Sequence, residues 1–288
     1  MKNLQSLRKS LDSANNLYSI VNTMKIHATT NIIQFQQAQD ASMQYRQVLN
    51  KALYVVFEKR AAEPQTMRKS KGMTIHVVFS SDHGLCGSFN ERIYEYAKER
   101  ISTHERSILL VIGEQGKKRL ETEYTVEESF FIPQTVDGIT SSVQQLLSVL
   151  DDLRSSRDVK NILLHFNRTT GKTGFKEQTE ELFPLDLRKL TKEEAKWEKT
   201  SSPVYFISGE KLLSDLLKQY FFITLYRTFC YSLVAENESR IASMTSAKKN
   251  IEERIEELET SYKRVRQDSI TDEIRDITSG FRNLRKSR

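Results

Sequence analysis

Residues 7–35 read LRKSLDSANNLYSIVNTMKIHATTNIIQF, and this stretch decides the fold. It lies in a flank, residues 1–63, that contains no glycine and no proline, and residues 210–288 contain a single glycine, Gly280. Glycine costs roughly 1 kcal/mol and proline about 3 kcal/mol inside a helix, so both flanks are predicted to form long helices. The four prolines and the other nine glycines lie between residues 64 and 209, which predicts a middle segment with many turns.

Apolar residues of the first flank recur alternately three and four positions apart. From Leu4 to Val56 this spacing visits sixteen positions, of which twelve are apolar or alanine. The spacing is typical of helices that wrap around each other in a coiled coil. The last flank repeats it from Ile251 to Val265 and, after a skip of five residues, from Ile270 to Leu284. The skip should shift the apolar face, and we predict that the two flanks pair with each other.

The middle segment has the pattern of an α/β domain. Short apolar runs at residues 75–79, 108–112 and 162–166 predict buried strands, and a weaker β-like pattern covers residues 180–187. Helical patterns lie between the runs, near residues 89–102, 114–121 and 138–154. Alternating strands and helices predict a mostly parallel, Rossmann-like sheet with crossover helices.

The predicted class is therefore α/β plus a long antiparallel coiled coil. Residues 1–60 would form an N-terminal stalk helix, residues 61–208 an inserted α/β domain, and residues 209–288 a C-terminal stalk helix. At 1.5 Å per residue these helices would be about 85 Å and about 115 Å long. A compact globule of 288 residues has a radius of gyration of only about 19 Å, so the helices should protrude as a stalk.

The longer C-terminal helix should extend past its partner by about 30 Å. Its apolar residues Ile274, Ile277 and Phe281 would then have no partner within the chain, and another molecule would have to cover them. The sequence thus predicts a helical stalk that inserts into a partner.

Composition excludes several classes of protein. With 38% hydrophobic and 28% charged residues the chain is globular rather than disordered. No apolar run approaches the length of a membrane span, and the start MKNLQSLRKSLDS lacks the apolar core of a signal peptide. Two cysteines cannot form a disulfide framework, which fits a reducing compartment. The net charge of +6 is modest and the basic residues are not interleaved with aromatic ones, so nucleic-acid binding is not predicted.

The turn SDHGLCGS (residues 81–88) is the main candidate for chemistry. Its glycine spacing matches neither the dinucleotide-binding nor the Walker pattern, so glycines for a tight strand-to-helix turn are the favoured interpretation. Cys86 near His83 leaves open a thiol-dependent enzyme, although a buried structural cysteine is favoured. The five histidines show no metal-ligand spacing. Neither a metal nor a cofactor nor a catalytic residue is predicted.

Three blocks of this sequence resemble the gamma subunits of F-type ATP synthases, and together they span nearly the whole chain. The first is IVNTMK at residues 20–25, and the second is SDHGLCGSFN at residues 81–90. The third begins with ESRIASM and AKKN, between residues 238 and 250, and ends with ITDEIRDITSG at residues 270–280. That last run is similar to the family signature Ile-Thr-x-Glu-x-x-Asp/Glu-x-x-x-Gly.

The resemblance implies a non-catalytic rotor shaft. Such a shaft stands in a ring of three α and three β subunits and couples ion flow through the membrane c-ring to ATP synthesis or hydrolysis. Its α/β domain would lie on the ε subunit and the c-ring. The implied location is peripheral, on the cytoplasmic face of the bacterial inner membrane.

The resemblance also implies two sets of site residues. The first set would contact the ring of α and β subunits: Met24, Lys25, Arg266, Gln267, Thr271, Glu273, Ile274, Ile277 and Phe281. Residues of the family's motif turn are Asp82, Gly84, Leu85, Cys86, Gly87 and Asn90. For Met24, packing in the coiled-coil seam remains an equal alternative.

Two departures from the family pattern are informative. Phe281 stands where the family has alanine, and HATTNIIQF at residues 27–35 replaces a lysine-rich stretch. These changes resemble the divergent N-type ATPases, found beside an ordinary synthase in some bacteria and thought to move sodium ions or protons. The alternative from another class is a free-standing Rossmann-like nucleotide-binding protein with a coiled-coil dimerisation arm.

Overall fold

Two long helices begin and end the computed structural model, which describes residues 4–58, 72–101, 106–171, 174–185 and 204–286. Helix α1 runs over Leu4–Glu58, 55 residues, and helix α5 over Gly209–Lys286, 78 residues. The side chains of residues 57–58 and 280–286 lie outside the description, and so does the predicted boundary between residues 60 and 61. Both helices form in flanks that are nearly free of helix breakers, as the composition predicts.

One face of α1 is buried along its whole length, and it is a face that the sequence predicts. The buried residues recur at every seventh position, which is the repeat of a coiled-coil seam. The residues at this spacing are Leu7, Ala14, Val21, Ala28, Phe35, Ser42, Leu49 and Val56, and Asn50 and Leu53 near the end of the helix are buried as well.

The middle segment forms a five-stranded sheet with three helices. The strands are β1 (Met73–Phe79), β2 (Ser107–Ile112), β3 (Val126–Phe130), β4 (Val159–Thr169) and β5 (Phe175–Phe183). The helices are α2 (Phe89–Arg100), α3 (Glu114–Leu120) and α4 (Val136–Ser156). The strand order is β3-β2-β1-β4-β5, and only the β4–β5 pair is antiparallel. The prediction of a mostly parallel sheet is confirmed.

The two edge strands differ from the sequence expectation. Strand β3 was not predicted, because the exposed Glu127 and Glu128 interrupt its apolar pattern and none of its residues is fully buried. Strand β5 begins at Phe175, before the β-like pattern of residues 180–187, and residues 186–187 lie outside the description. Polar residues survive on an edge strand because one side of it faces water.

The chain divides into two compact units, through both of which α1 and α5 run. The first unit comprises residues 1–27 and 242–288, and the second residues 28–241. In the first unit, Leu7, Ala14 and Leu258 are the buried centre of an apolar cluster. It is completed by Leu11, Ile255, Tyr262 and Val265. Further along, Lys248 Nζ donates a hydrogen bond to Asn22 Oδ1 at 3.2 Å. Early residues of α1 thus meet late residues of α5, so the two helices pair antiparallel as predicted.

In the second unit, the sheet is covered on both faces. The larger cluster joins one face of the sheet to α4 and to the middle of α1 and α5, with Phe35, Val143 and Phe229 among its buried members. The other face packs against α2 and α3 through Ile93, Ala97 and Leu120. A third cluster pairs α1 with α5 directly, through Leu49, Leu53, Tyr220 and Ile223. Within the described residues, no helix is long and apolar enough to cross a lipid bilayer.

Candidate functional site

The last part of α5 is a helix without a described partner in its own unit. Val265 is the last α5 residue in the apolar cluster with α1, and every side chain from residue 266 to residue 279 is exposed. The exposed fractions of Ile270, Ile274 and Ile277 are 48%, 59% and 60%. Because positions i, i+4 and i+7 share one helix face, these three isoleucines form an apolar strip, called here the isoleucine strip. Phe281 continues this spacing, but its side chain lies outside the description.

The polar residues predicted to contact a ring lie beside this strip and are exposed as well. They are Arg266, Gln267, Thr271 and Glu273. Thr271 Oγ1 donates to the carbonyl oxygen of Gln267 at 2.9 Å, a bond within the helix itself. Their side chains are therefore open to an external partner.

Met24 and Lys25 lie apart from this group. Both are half-buried on α1. The residues of α1 that pack with Val265, where the contact between the two helices ends, are instead Leu7 and Leu11. The antiparallel pairing instead brings the neighbourhood of Met24 toward Lys248, which lies over the Tyr18 ring at 5.1 Å from its centroid. The structure thus separates the predicted contact residues into two groups within the first unit.

The motif turn after β1 is closed by its own side chains. Leu85 and Gly87 have φ angles of 62° and 58°, a left-handed conformation that glycine adopts freely and leucine rarely does. Cys86, between them, points inward and is 1% exposed, whereas Leu85 is 62% exposed. The Asn90 amide nitrogen donates to Ser81 Oγ at 2.8 Å and to Cys86 Sγ at 3.3 Å. These bonds fix the shape of the turn.

Asp82 joins the turn to two other segments. Its carboxylate accepts from the backbone nitrogen of Glu114 at 3.1 Å and from that of Ile132 at 3.0 Å. The first contact caps the start of α3, where a negative charge is favourable. Gly84 has open space around the position of a missing Cβ.

Ser80 and Gly116 form a close contact beside the turn that sequence reasoning missed. Ser80 Oγ donates to the carbonyl of Ile112 at 2.7 Å and accepts from the nitrogen of Gly116 at 3.0 Å. A Cβ at Gly116 would lie 2.4 Å from Ser80 Oγ, so the site requires glycine. The signal in the sequence was a glycine within a short helix, where it is otherwise unfavourable.

Side chains of helix α5 donate hydrogen bonds to backbone carbonyls of the turn. Ser239 Oγ donates to the carbonyl of Cys86 at 2.6 Å, and Arg240 Nη2 donates to the carbonyl of His83 at 3.3 Å. Arg240 also pairs with Glu236 at 2.7 Å, and their side chains are 12% and 6% exposed. Burial raises the pKa of Glu236 to about 7, against the opposing effect of Arg240.

Cys86 has the properties of a structural cysteine. Burial raises the pKa of its thiol, and the neighbouring Ser81 only partly offsets this. The contact between Cys86 Sγ and His83, at 3.8 Å, is to the backbone carbonyl of His83. A nucleophilic cysteine needs a lowered pKa and access to solvent, so this geometry does not favour a thiol-dependent enzyme.

A buried pair of histidines crosses the sheet between β1 and β4. His76 Nδ1 and His165 Nε2 lie 2.9 Å apart, and His165 Nδ1 lies 2.9 Å from Thr179 Oγ1 on β5. Burial, reinforced by His76 and Arg100, lowers the pKa of His165 to about 3. The described residues contain no group of three or more histidine, cysteine or acidic side chains that could hold a metal ion.

A second polar cluster, which is partly buried, joins both long helices to strand β5. Arg46 Nη1 on α1 lies 2.8 Å from Glu180 Oε1, and Arg227 Nη2 on α5 contacts both oxygens of the same carboxylate. Arg46 also donates to the hydroxyl of Tyr220 at 2.9 Å. One signal in the sequence pointed to this cluster, since Arg46 occupies a seam position of α1, where most residues are apolar.

These features define a class of protein: an antiparallel coiled coil with a mostly parallel α/β sheet encoded between its two helices, and with an uncovered apolar strip near the end of the second. A family model described as ATP synthase matches residues 3–284. The chain belongs to this family, and the relatives that match it are gamma chains.

Relatives match over essentially their whole length. The ATP synthase gamma chain of Geotalea uraniireducens is 27% identical over 294 residues, covering 99% of this chain and 100% of the relative. The gamma chain of Campylobacter jejuni subsp. doylei is 26% identical over 308 residues, with the same coverage. Matches that include both long helices and the sheet favour the gamma-chain interpretation over a free-standing nucleotide-binding protein.

Solved structures share the fold. A chain of the Euglena gracilis mitochondrial ATP synthase, in a structure of OSCP, F1 and the c-ring, has a TM-score of 0.63 at 13% identity, covering 98% of this chain and 94% of that one. A chain from the central stalk and c-ring of the Tetrahymena thermophila enzyme has a TM-score of 0.57 at 20% identity, covering 79% and 99%.

Proposed function

We propose that this chain is the central rotor shaft of an F-type ATP synthase. It would couple ion flow through a membrane c-ring to ATP synthesis or hydrolysis in a ring of three α and three β subunits. The shaft itself is non-catalytic: nucleotide chemistry belongs to the ring, and the shaft changes the affinities of its sites. The family match and the full-length gamma-chain relatives support this function.

The single observation that carries the proposal is the isoleucine strip. A stretch of helix that exposes every side chain from residue 266 to residue 279, including three large apolar ones, needs cover from another molecule. An apolar sleeve in the ring would supply that cover. The stretch also carries the family signature, from Ile270 to Gly280.

The shaft would act by presenting different side chains in different directions. A ligand or partner shifts an equilibrium only through differential contacts with its states. Around the end of α5, the isoleucine strip lies on one side with Arg266, Gln267 and Glu273 along its borders, and Asp272 and Arg275 lie on the opposite side. Each β subunit would therefore meet a different neighbour, and rotation would exchange these neighbours among the three sites.

Torque transfer requires a stiff shaft. The seam of α1 is buried at every seventh residue from Leu7 to Val56, and close packing along a seam resists bending. Met24 and Lys25 lie on this helix beside the exposed Ile20 and Ile26, and we assign them to contacts with the β subunits. For the half-buried Met24, packing in the seam remains the alternative.

The remaining partners follow from the same proposal. The α/β sheet region would lie on the ε subunit and the c-ring, and the chain would be a peripheral subunit at the cytoplasmic face of the bacterial inner membrane. The domain limits at residues 60 and 208 and the assignment to the N-type branch, based on Phe281 and on residues 27–35, belong to this proposal too.

Co-expression with the α and β subunits encoded by the same genome tests the function. We expect one copy of this chain to co-purify with three of each, and we expect membranes that carry the whole complex to take up ions when ATP is added. A chain recovered as a homodimer with a closed coiled coil, and without α and β, would support the dimerisation-arm alternative instead.

A further inference from the structure

The motif turn and helix α5 meet at a buried ion pair whose presence needs a reason. Glu236 and Arg240 are one helical turn apart on α5, and both side chains are almost fully buried beside residues 83–86. Among the described residues, Glu236 Oε2 has no hydrogen-bond partner. Its environment also opposes ionisation, since burial raises the pKa of the carboxyl.

Such a pair is poorly explained by stability alone. Removing two charges from water costs free energy that their attraction often fails to recover, and here one oxygen remains unsatisfied. Buried ion pairs are better explained where they specify one arrangement of two elements. The arrangement specified here is visible in the contacts, because one guanidinium nitrogen, Arg240 Nη2, contacts both Glu236 and the carbonyl of His83.

The turn is built to be held in this way. Ser81, Asn90 and the left-handed Leu85 and Gly87 close it internally, so its carbonyls point in fixed directions. Two residues of α5 donate hydrogen bonds to two carbonyls of the turn: Ser239 to that of Cys86 and Arg240 to that of His83. An apolar cluster formed by Cys86, Phe89 and Ala235 fills the space beside them.

We infer that Glu236 and Arg240 form a positioning lock, which fixes the turn of residues 81–90 against α5 so that the sheet rotates with the helix as one body. The lock rests on the proposed rotor function and adds the path by which torque would pass between α5 and the sheet. Asp82 extends this path, since its carboxylate holds the start of α3 and the backbone of Ile132.

The test uses the full complex with Arg240→Ala, Arg240→Lys and a matched control, Glu253→Gln. The control removes a carboxylate from an ion pair on the same helix, Lys249 with Glu253, whose side chains are 77% and 63% exposed. We expect Arg240→Ala to speed backbone amide exchange at residues 81–89 roughly tenfold, because the charged hydrogen bond from α5 to the carbonyl of His83 is lost. Arg240→Lys should give a smaller increase, because lysine keeps the charge but not the planar fork of donors.

Coupling is the second readout. We expect ion uptake per ATP hydrolysed to fall in Arg240→Ala and to remain at the wild-type value in Glu253→Gln. Unchanged exchange at residues 81–89 in Arg240→Ala would overturn the lock, and faster exchange with unchanged coupling would overturn its role in torque. If Arg240→Ala does not assemble, Arg240→Lys replaces it in both measurements, and unchanged exchange at residues 81–89 in that variant would overturn the lock.

The two proposals fail separately. Wild-type complex that hydrolyses ATP without taking up ions would contradict the rotor function, whereas the exchange measurement would still decide whether the turn is locked to α5.

Discussion

Arg227 Nη2 lies 2.5 Å and 2.6 Å from the two carboxylate oxygens of Glu180, so a single residue of α5 grips the edge strand β5. Arg46 of α1 reaches the same carboxylate at 2.8 Å. One carboxylate thus pairs with two arginines whose side chains are 19% and 14% exposed, and it is the counter-charge that they share. This carboxylate ties both long helices to the sheet.

Replacing Glu180 by glutamine should destabilise the chain by roughly 3 kcal/mol, because two buried guanidinium groups would lose their counter-charge. Urea unfolding of the full chain measures this free energy. The matched control is Glu127→Gln, which breaks an exposed ion pair with Arg157 on the same sheet and should cost less than about 1 kcal/mol. Equal losses in the two variants would contradict the special role of Glu180.

The histidine pair predicts a dependence of stability on pH. The pKa of His165 is lowered to about 3 from an ordinary value of 6.5, so the folded state keeps the ring neutral where the unfolded state takes up a proton. The stability linked to this residue is complete above pH 6.5 and is lost as the pH falls toward 3. Between pH 7 and pH 5 the loss should reach about 2 kcal/mol.

The pKa shift of Glu236 changes stability with pH in the direction opposite to that of His165, so the two contributions must be measured separately. Its pKa is raised from 4.5 to about 7, so its contribution is complete below pH 4.5 and is lost as the pH rises through 7. We therefore expect the difference in unfolding free energy between the wild type and His165→Gln to shrink as the pH falls from 7 to 5. The unfolding free energy of Glu236→Gln should no longer decline as the pH rises through 7. If the difference in unfolding free energy between the wild type and His165→Gln did not change with pH, the histidine prediction would be wrong.

Cysteine replacement distinguishes the rotor from a thiol enzyme. We expect Cys86→Ala to keep assembly and ATP turnover of the complex nearly intact, with a loss of about 1 kcal/mol in stability from the contacts of a buried side chain. Cys230→Ala is the control, since burial raises the pKa of that thiol to about 12 and no chemistry is assigned to it. If ATP turnover were abolished in Cys86→Ala but not in Cys230→Ala, the thiol-dependent alternative would gain.

The parts of the fold that follow from local periodicity could be predicted from the sequence. The seam of α1 repeats every seven residues over eight buried positions, from Leu7 to Val56, and only a helix with a long apolar face gives that pattern. The parallel strands β1, β2 and β4 are continuous apolar runs because both faces of them are covered. Strand β3 was missed because Glu127 and Glu128 face water at the edge of the sheet, so the strand lacks the apolar run of a buried one.

The polar clusters of the second unit depend on distant partners and could not be predicted. His76 and His165 are 89 residues apart in sequence and meet because β1 pairs with β4. Glu236 and Arg240 show the i, i+4 spacing of an ordinary surface pair. Their burial comes from the turn that docks on them, and the spacing alone carries no sign of it.

Truncation after Val265 separates the stability of the chain from its assembly. Val265 is the last α5 residue in the apolar cluster with α1, and the residues removed up to 279 are all exposed, so the free energy of unfolding should change by less than about 0.5 kcal/mol. Two quantities should decrease because the isoleucine strip is lost. They are the amount of α and β subunits that co-purifies with the chain, and the ion uptake per ATP hydrolysed.

A full-length variant with Ile270, Ile274 and Ile277 replaced by serine keeps the length of α5 and should show the same assembly defect. The control, Asp272→Asn with Arg275→Gln, removes an exposed ion pair of 3.6 Å from the same stretch and should assemble normally. Tight assembly and full coupling in the truncated chain would mean that these isoleucines contact nothing, since an apolar surface that gains cover on binding must lose affinity when it is removed.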